Sequence, residues 1–204
     1  MQQKDYMYAD GDLYLYPFRE SDINDETYRS WFTNPEVTKY NSHGLFPMTE
    51  DRMKSFVHGL NKDHIVFKIM IKTLDIEKHH SSDHAFGSFP EKFVWIGNCS
   101  LQSFNWINRS SEFAIVIGDV TAWGKGYATR CLKLLFEHGF NKLGLNRIWT
   151  GTAATNKGMQ AVAEAAGMKL EGLSRQGTYL DGEFVDVCHY GILREEWNAI
   201  KRSN

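Results

Sequence analysis

The feature that most constrains this 204-residue chain is an apolar run that leads through a double-glycine turn into an amphipathic helix. The run, Phe113–Ile117, is apolar on both faces, which predicts a strand in the middle of a sheet. The turn follows at Trp123–Thr129, with glycine at positions 124 and 126. Apolar residues then recur at helical spacing to about residue 141. The segment therefore predicts a buried strand, a tight turn and a helix packed on the sheet.

The double-glycine turn is suited to binding an anion. Two glycines let the backbone turn tightly and present consecutive amides at a helix amino terminus, where the helix dipole favours negative charge. Lys125 and Arg130 add positive charge there. The turn differs from a Walker loop, which needs Ser or Thr where Tyr127 stands, and from a dinucleotide fingerprint, whose third glycine would fall at Thr129. Considered alone, it fits a ligand-free connection equally well.

The rest of the chain alternates between strand and helix patterns, in the order β-α-α-β-β-β-α-β-α-β-β, which predicts one α/β (α+β) domain with a mixed sheet. Strands are predicted at Leu13–Phe18, Ile65–Ile71, Phe93–Phe104, Glu112–Ile117, Arg147–Thr152, Thr178–Leu180 and Glu183–Ile192. Helices are predicted from a cap at Ser21 or Asp22 to Phe32, where Asn34-Pro35 ends the helix, from Thr49 to Leu60, from Tyr127 to Asn141, and over Met159–Ala166. Residues Leu74–Lys92 show no period and are expected to form a long inserted loop.

Composition limits the partners and the cellular location. A net charge of −2 argues against a nucleic-acid coat, and the lack of a signal pattern or a long apolar run argues against a membrane partner. The three cysteines show no CxxC spacing, so we expect no disulfide framework and no zinc site, in keeping with a cytoplasmic protein. His79, His80 and His84 with Asp83 favour a polar loop over a metal site. The sequence leaves open whether the protein forms a homodimer.

Three segments resemble the GNAT superfamily of acyl-CoA-dependent N-acetyltransferases: SEFAIVIGDVTAWGKGYAT, NRIWTGTAATNKGMQAVAEAAGM and DGEFVDVCHYGILREEW. The closest resemblance is to the branch that contains ribosomal-protein amino-terminal acetyltransferases and spermidine acetyltransferases. It implies the GNAT fold, a mixed and mostly antiparallel sheet flanked by helices, in one domain over residues 1–204 with the 74–92 loop inserted. The family motif Gln/Arg-x-x-Gly-x-Gly/Ala reads Trp123-Gly124-Lys125-Gly126-Tyr127-Ala128 here, with Trp123 in place of Gln or Arg.

The resemblance implies acetyl-CoA as co-substrate and no metal. It assigns the pantetheine arm to the backbone of the central strand and the pyrophosphate to the turn and the start of the following helix. The implied CoA-binding residues are Ile115, Val116, Ile117, Trp123, Gly124, Lys125, Gly126, Tyr127, Ala128, Thr129, Arg130 and Asn156. Asn156 is also a favourable helix cap, and the two roles are compatible.

The catalytic residues are less evident. Ala163 stands where many family members carry a tyrosine that protonates the departing thiolate. Tyr190 or Tyr179 on the terminal strands could supply an acid or shape the acceptor cleft, or both could be packing aromatics. Glu112, at the mouth of the central strand, is the candidate base for the amine, although a strand-end glutamate in water fits as well. His43 is a candidate for the acceptor pocket or simply a solvated histidine.

The function implied is direct transfer of an acetyl group from acetyl-CoA to a primary amine, without a covalent enzyme intermediate. Candidate acceptors are a small amine, an amino sugar, a polyamine or the amino terminus of a protein. The carboxylates of Asp22, Asp25 and Glu26 would suit a polyamine, or they form a solvated helix start. The alternative, which the alanine at position 163 keeps open, is a catalytically silent acyl-CoA-binding module.

Overall fold

A mixed sheet of eight strands organises the computed structural model, which describes residues 5–41, 49, 51–52, 54–55, 64–74 and 91–203. The strands are β1 (Tyr8–Asp10), β2 (Leu13–Pro17), β3 (Ile65–Leu74), β4 (Glu91–Asn105), β5 (Ser110–Ile117), β6 (Arg147–Ala153), β7 (Lys169–Leu180) and β8 (Glu183–Leu193). Their spatial order is β1-β2-β3-β4-β5-β6-β8-β7. All neighbours pair antiparallel except β5 and β6, which are parallel. The predicted mixed, mostly antiparallel sheet with a central β5 is confirmed.

Helices connect and cover these strands. They are α1 (Glu26–Trp31), α2 (Pro35–Thr38), α3 (Tyr127–Glu137), α4 (Lys157–Ala165) and α5 (Arg194–Ser203), with 3₁₀ turns at Glu20–Asn24 and Val120–Ala122 and a π-helical turn at His138–Lys142. Residues 51–52 and 54–55 are also helical, and the Arg52 amide donates to Thr49 Oγ1 at 3.3 Å, as expected of a cap at Thr49. In the parts of the chain described here, no helix has the length and apolarity needed to cross a membrane.

The helices lie on opposite faces of the sheet. Side chains alternate along a strand, so Phe67 and Ile69 of β3 enter the main core with α3, α4 and α5, whereas Lys68 between them points the other way. Lys68 Nζ pairs with Asp22 at 2.8 Å, just before α1. On the same face, Trp95 of β4 stacks on Tyr28 of α1 at 5.4 Å between ring centroids. The α1 and α2 segment therefore covers one face, and α3 to α5 cover the other.

The sheet opens between β5 and β6. These strands pair over three positions, from Ser110 with Arg147 to Glu112 with Trp149. Beyond that point β5 continues to Ile117 and β6 continues to Ala153 without further pairing between them. On its other side β5 pairs with β4 up to Ile117, so the edge that faces β6 is left open to the gap.

Several predicted elements need correction. The helix expected from Ser21 or Asp22 begins instead at Glu26, because Asp25 is the cap and its carboxylate accepts from the Thr27 amide at 2.8 Å. Asn34-Pro35 ends that helix but also begins α2, with Asn34 as the cap. The strand expected at Thr178–Leu180 begins earlier, because β7 spans Lys169–Leu180. Neither β1 nor α5 was expected, because β1 is short and α5 is strongly polar.

The β3–β4 hairpin extends into both ends of the segment that was predicted as an inserted loop. Leu74 pairs with Glu91 and Thr73 with Lys92, so both ends of the predicted 74–92 loop belong to the β3–β4 hairpin. Antiparallel pairing can continue without hydrophobic periodicity because the backbone makes the bonds. Residues 75–90 lie outside the described residues, and so do His79, His80, Asp83 and His84.

Candidate active site

A cavity of about 830 Å³ occupies the gap between β5 and β6. Its walls come from β5, β6, the double-glycine turn, α4 and the α2 segment. Because α2 and α4 lie on opposite faces of the sheet, the cavity passes from one face to the other. This arrangement lets two molecules meet in the gap, one entering from each face.

The double-glycine turn forms one end of this cavity. Gly124 and Gly126 have φ angles of +72° and +80°, which side-chain-bearing L residues rarely adopt, and Gly126 is the cap of α3. A Cβ atom added at either glycine would meet nothing within 4 Å. The glycines are therefore required by backbone conformation, and they leave open space above the first amides of α3. An anion such as a pyrophosphate fits this cradle.

Trp123 links the turn to the end of β5 by a hydrogen bond. Its indole Nε1–H donates to the carbonyl of Ile117 at 2.9 Å, and the ring lines the cavity while keeping 44% of its surface exposed. Trp123, which stands where the family motif has glutamine or arginine, therefore helps to hold the turn against β5.

Arg130 is directed away from the turn, toward the β1–β2 hairpin. Its Nε donates to Asp10 at 2.7 Å and its Nη1 to Asp12 at 2.8 Å. Tyr127 donates its hydroxyl to the same Asp12 at 2.8 Å, and the Arg130 hydrogen bond holds the pKa of Asp12 below its usual value. Two carboxylates thus balance the Arg130 charge. Neither Arg130 nor the exposed Lys125 is among the residues that line the cavity.

The part of the cavity wall formed by β5 can bind a ligand through backbone groups as well as through side chains. Ile115, Val116 and Ile117 all line the cavity, and beyond Glu112 their strand pairs with no described strand on the gap side. An extended chain such as a pantetheine arm can pair with such an edge. Asn156, across the gap, lines the cavity and caps α4 by accepting from the Met159 amide at 3.1 Å.

Glu112 lies at the narrow end of the gap and lines the cavity. Its neighbour Phe113 is fully buried in the main core, so alternation directs Glu112 toward the α1 and α2 face. The side chain is half-buried, and Oε2 accepts from Gln102 Nε2 and from Ser103 Oγ, each at 3.2 Å. These two donors hold the carboxylate in place.

Neither of the two tyrosines predicted for catalysis or the acceptor cleft lines the cavity. Tyr190 is 2% exposed in the main core and donates its hydroxyl to Glu164 at 3.0 Å. Burial, reinforced by that hydrogen bond, raises the pKa of Tyr190 to about 12. Tyr179 is half-exposed at the tip of the β7–β8 hairpin, where it packs against Phe184. Ala163 is fully buried away from the lining, and His43 lies outside the described residues.

The structure adds residues that sequence reasoning missed. They come from the α2 segment and from β6: Glu36, Val37, Tyr40, Asn41, Thr150, Gly151 and Thr152. Alternation along β6 could have singled out the threonines, whereas nothing local indicated that α2 reaches the cavity. Two of the three carboxylates considered for a polyamine have structural contacts, since Asp22 pairs with Lys68 and Asp25 caps α1. Within the described ranges no group of three His, Cys, Asp or Glu residues could hold a metal.

Comparison with known proteins agrees with this geometry. A model of the acetyltransferase (GNAT) domain matches residues 12–169. YdaF of Bacillus subtilis, whose name provisionally assigns it to the ribosomal N-acetyltransferases, is 33% identical over 105 residues, which are 52% of this chain and 57% of that protein. Spermidine N(1)-acetyltransferase of Vibrio cholerae is 26% identical over 153 residues, 70% of this chain and 88% of that protein.

A solved structure supports the fold. Spermidine N-acetyltransferase from Vibrio cholerae, in complex with CoA and spermine, superposes with a TM-score of 0.70 at 21% identity. The superposition covers 93% of this chain and 99% of that one. The resemblance seen in the sequence segments is thereby confirmed at the level of family and fold.

Proposed function

Because this chain belongs to the GNAT acetyltransferase family, and so is an N-acetyltransferase that uses acetyl-CoA, we propose that it transfers the acetyl group directly to a primary amine. The observation that carries the proposal is the cavity through the sheet, which joins an anion cradle at one end to a carboxylate on the opposite face. Acetyl-CoA would enter along the turn and the open edge of β5. The amine would enter from the α1 and α2 face.

Each part of the cavity has a role in this proposal. The amides at the start of α3 would hold the pyrophosphate, and the free edge of β5 would hold the pantetheine arm. Acetyl-CoA supplies an activated thioester. The amine nitrogen bonds to the carbonyl carbon, the C–S bond breaks, and its electron pair leaves on sulfur. Glu112 would accept the proton that the amine must lose, directly or through a water.

The acceptor we propose is a cationic amine. Glu36 of α2 and Glu112 of β5 both line the cavity, and two carboxylates in one cavity favour a positively charged ligand. A polyamine or another small basic amine has this chemistry, in keeping with the spermidine acetyltransferase among the relatives. The amino terminus of a protein is also a cationic amine. Because YdaF is named as a ribosomal N-acetyltransferase, such an amino terminus should be tested as an acceptor too.

The test is release of free thiol from acetyl-CoA in the presence of a panel of amines: a polyamine, an amino sugar, a small monoamine and a peptide with a free amino terminus. We expect turnover with at least one cationic amine. Stabilisation by CoA without thiol release from any of them would instead favour the silent acyl-CoA-binding module. We also propose a cytoplasmic location, which the three buried free cysteines support.

A further inference from the structure

Two threonines of β6 present unused hydroxyls to the cavity. Thr150 and Thr152, here called the threonine pair, both line the cavity although they are 3% and 7% exposed. Within the described residues, neither hydroxyl makes a hydrogen bond, and neither oxygen is among the fully enclosed side-chain atoms that lack a partner. Both oxygens are therefore reached from the cavity itself.

The strand register fixes which face the threonine pair occupies. Thr150 lies opposite Tyr190 and Thr152 opposite Cys188, and both partners on β8 belong to the main core. The pair thus lies on the α4 face of the sheet, whereas Glu112 faces α1 and α2. Thr150 is the first residue of β6 beyond its last pairing with β5, so the pair lines the gap from its narrow end outward.

Stability alone does not account for these hydroxyls. A hydroxyl that makes no hydrogen bond to the protein does not stabilise the fold through one, and valine would fill nearly the same volume without a polar atom. Ser111 on β5 shows the usual solution, since it is fully buried and donates its hydroxyl to the Gln102 carbonyl at 2.7 Å. Among the described residues the threonine pair has no such partner, and the cavity is where a partner could bind.

We propose that the threonine pair donates hydrogen bonds to the thioester group of acetyl-CoA and to the thiolate that leaves, an inference that rests on the proposed function. Four residue steps along β5 from Ile117, beside the turn, to Phe113 span about 13 Å. An extended arm held at the turn therefore brings its far end between β5 and the threonine pair. A threonine hydroxyl is too weak an acid to give up its proton, but it stabilises negative charge by donating a hydrogen bond. This explains how transfer proceeds with alanine at position 163.

The test measures the pKa of the CoA thiol in its complex with the protein, from the ultraviolet absorbance of the thiolate against apo protein at each pH. In a Thr150→Val/Thr152→Val double variant we expect this pKa to rise by about one unit, because the bound thiolate loses its donors. The apo melting temperature should stay the same or rise. Turnover of the double valine variant should fall roughly 10²-fold. The Thr150→Ser/Thr152→Ser variant keeps both hydroxyls, so its thiol pKa and its turnover should match those of the unmodified protein. The two single valine variants then show which hydroxyl contacts the sulfur.

Ser111→Ala is the matched control, because it removes a buried hydroxyl that has a protein partner. It should lower the melting temperature and leave the thiol pKa unchanged. If the double valine variant behaves like Ser111→Ala, the threonine pair is structural and the inference is wrong. An unchanged thiol pKa in a stable double variant also overturns it, while the proposed function stands. Failure of the unmodified protein to bind CoA would instead remove the proposed function and this inference with it.

Discussion

The two ends of the cavity are built in different ways. The end that fits acetyl-CoA comes from one continuous stretch, β5 to the start of α3, and offers mainly backbone amides and the conformations of two glycines. The end that fits the amine comes from side chains far apart in the chain, Glu36 and Glu112 among them. Backbone recognition tolerates substitutions such as Trp123, whereas side-chain recognition changes with each residue. We therefore expect changes in the turn to affect CoA binding and changes on the other face to affect the amine.

The largest effect should come from Gly126→Asp. Aspartate would place a side chain and a negative charge in the open cradle, so stabilisation of the fold by CoA should be abolished. Gly126→Asn is the matched control, with nearly the same shape and no charge. Both residues tolerate positive φ better than most, so the two apo proteins should melt at similar temperatures. Thermal melts with and without CoA check this, and undiminished stabilisation in the aspartate variant would contradict the cofactor assignment.

Glu112→Gln tests the opposite end. It keeps the size of the side chain and removes the base, so turnover should fall roughly 10²–10⁴-fold with CoA affinity little changed. The loss should shrink as pH rises, because more of the amine arrives already neutral. Glu36→Gln should instead raise the KM for a cationic amine and leave kcat nearly unchanged. Wild-type turnover of the Glu112 variant from pH 6 to 9 would mean that the carboxylate is structural.

Arg130→Ala tests whether the β1–β2 hairpin holds the turn in position. Without the ion pairs to Asp10 and Asp12 the start of α3 loosens, so the KM for acetyl-CoA should rise roughly 10- to 100-fold. Arg130→Lys should rescue little, because lysine cannot bridge two carboxylates with a planar fork. Acetyl-pantetheine lacks the pyrophosphate, and its kinetics should not change. An equal loss with both substrates would point to general unfolding.

A smaller, pH-dependent effect is expected at Asp12. Its pKa in the folded protein is lower than the ordinary 3.8, chiefly through the hydrogen bond from Arg130. Its contribution to stability is therefore complete above that ordinary value and is lost as pH falls through the lower folded value. Asp12→Asn should melt lower than wild type at neutral pH, and the difference should shrink in acid. Melts across an acid series check the sign, and a constant difference would contradict it.

The smallest effect should come from shortening the β3–β4 connection. Pairing of β3 with β4 continues to Leu74 and Glu91, so replacing residues 78–88 with a short Gly-Ser connection leaves the hairpin register intact. We expect an almost unchanged melting temperature and unchanged CoA stabilisation. A much lower melting temperature or an insoluble product would place the segment in the core or at a subunit interface.

Features that depend on residues adjacent in the sequence were predicted correctly, whereas contacts between residues far apart in the sequence were not. The turn and β5 were predicted well, because periodicity and glycine conformation depend on adjacent residues. The capping role of Asn156 was also evident from its position before α4. Arg130 was expected to face the anion, but its partners Asp10 and Asp12 lie 120 and 118 residues away. Tyr190 was expected near the cleft, yet it is buried in the main core, where its hydroxyl donates to Glu164 of α4.

By itself the sequence determined the strand, turn and helix that we propose bind acetyl-CoA, and with them the family. Apolar spacing decides which faces can be buried, and left-handed backbone at two positions calls for glycine wherever the chain folds. Only the tertiary structure decided where β5 and β6 part, that α2 reaches the same cavity as α4, and that two threonine hydroxyls find no partner among the described residues. Those properties depend on which strands become neighbours and on which face each residue occupies, and both are set by packing over the whole sheet.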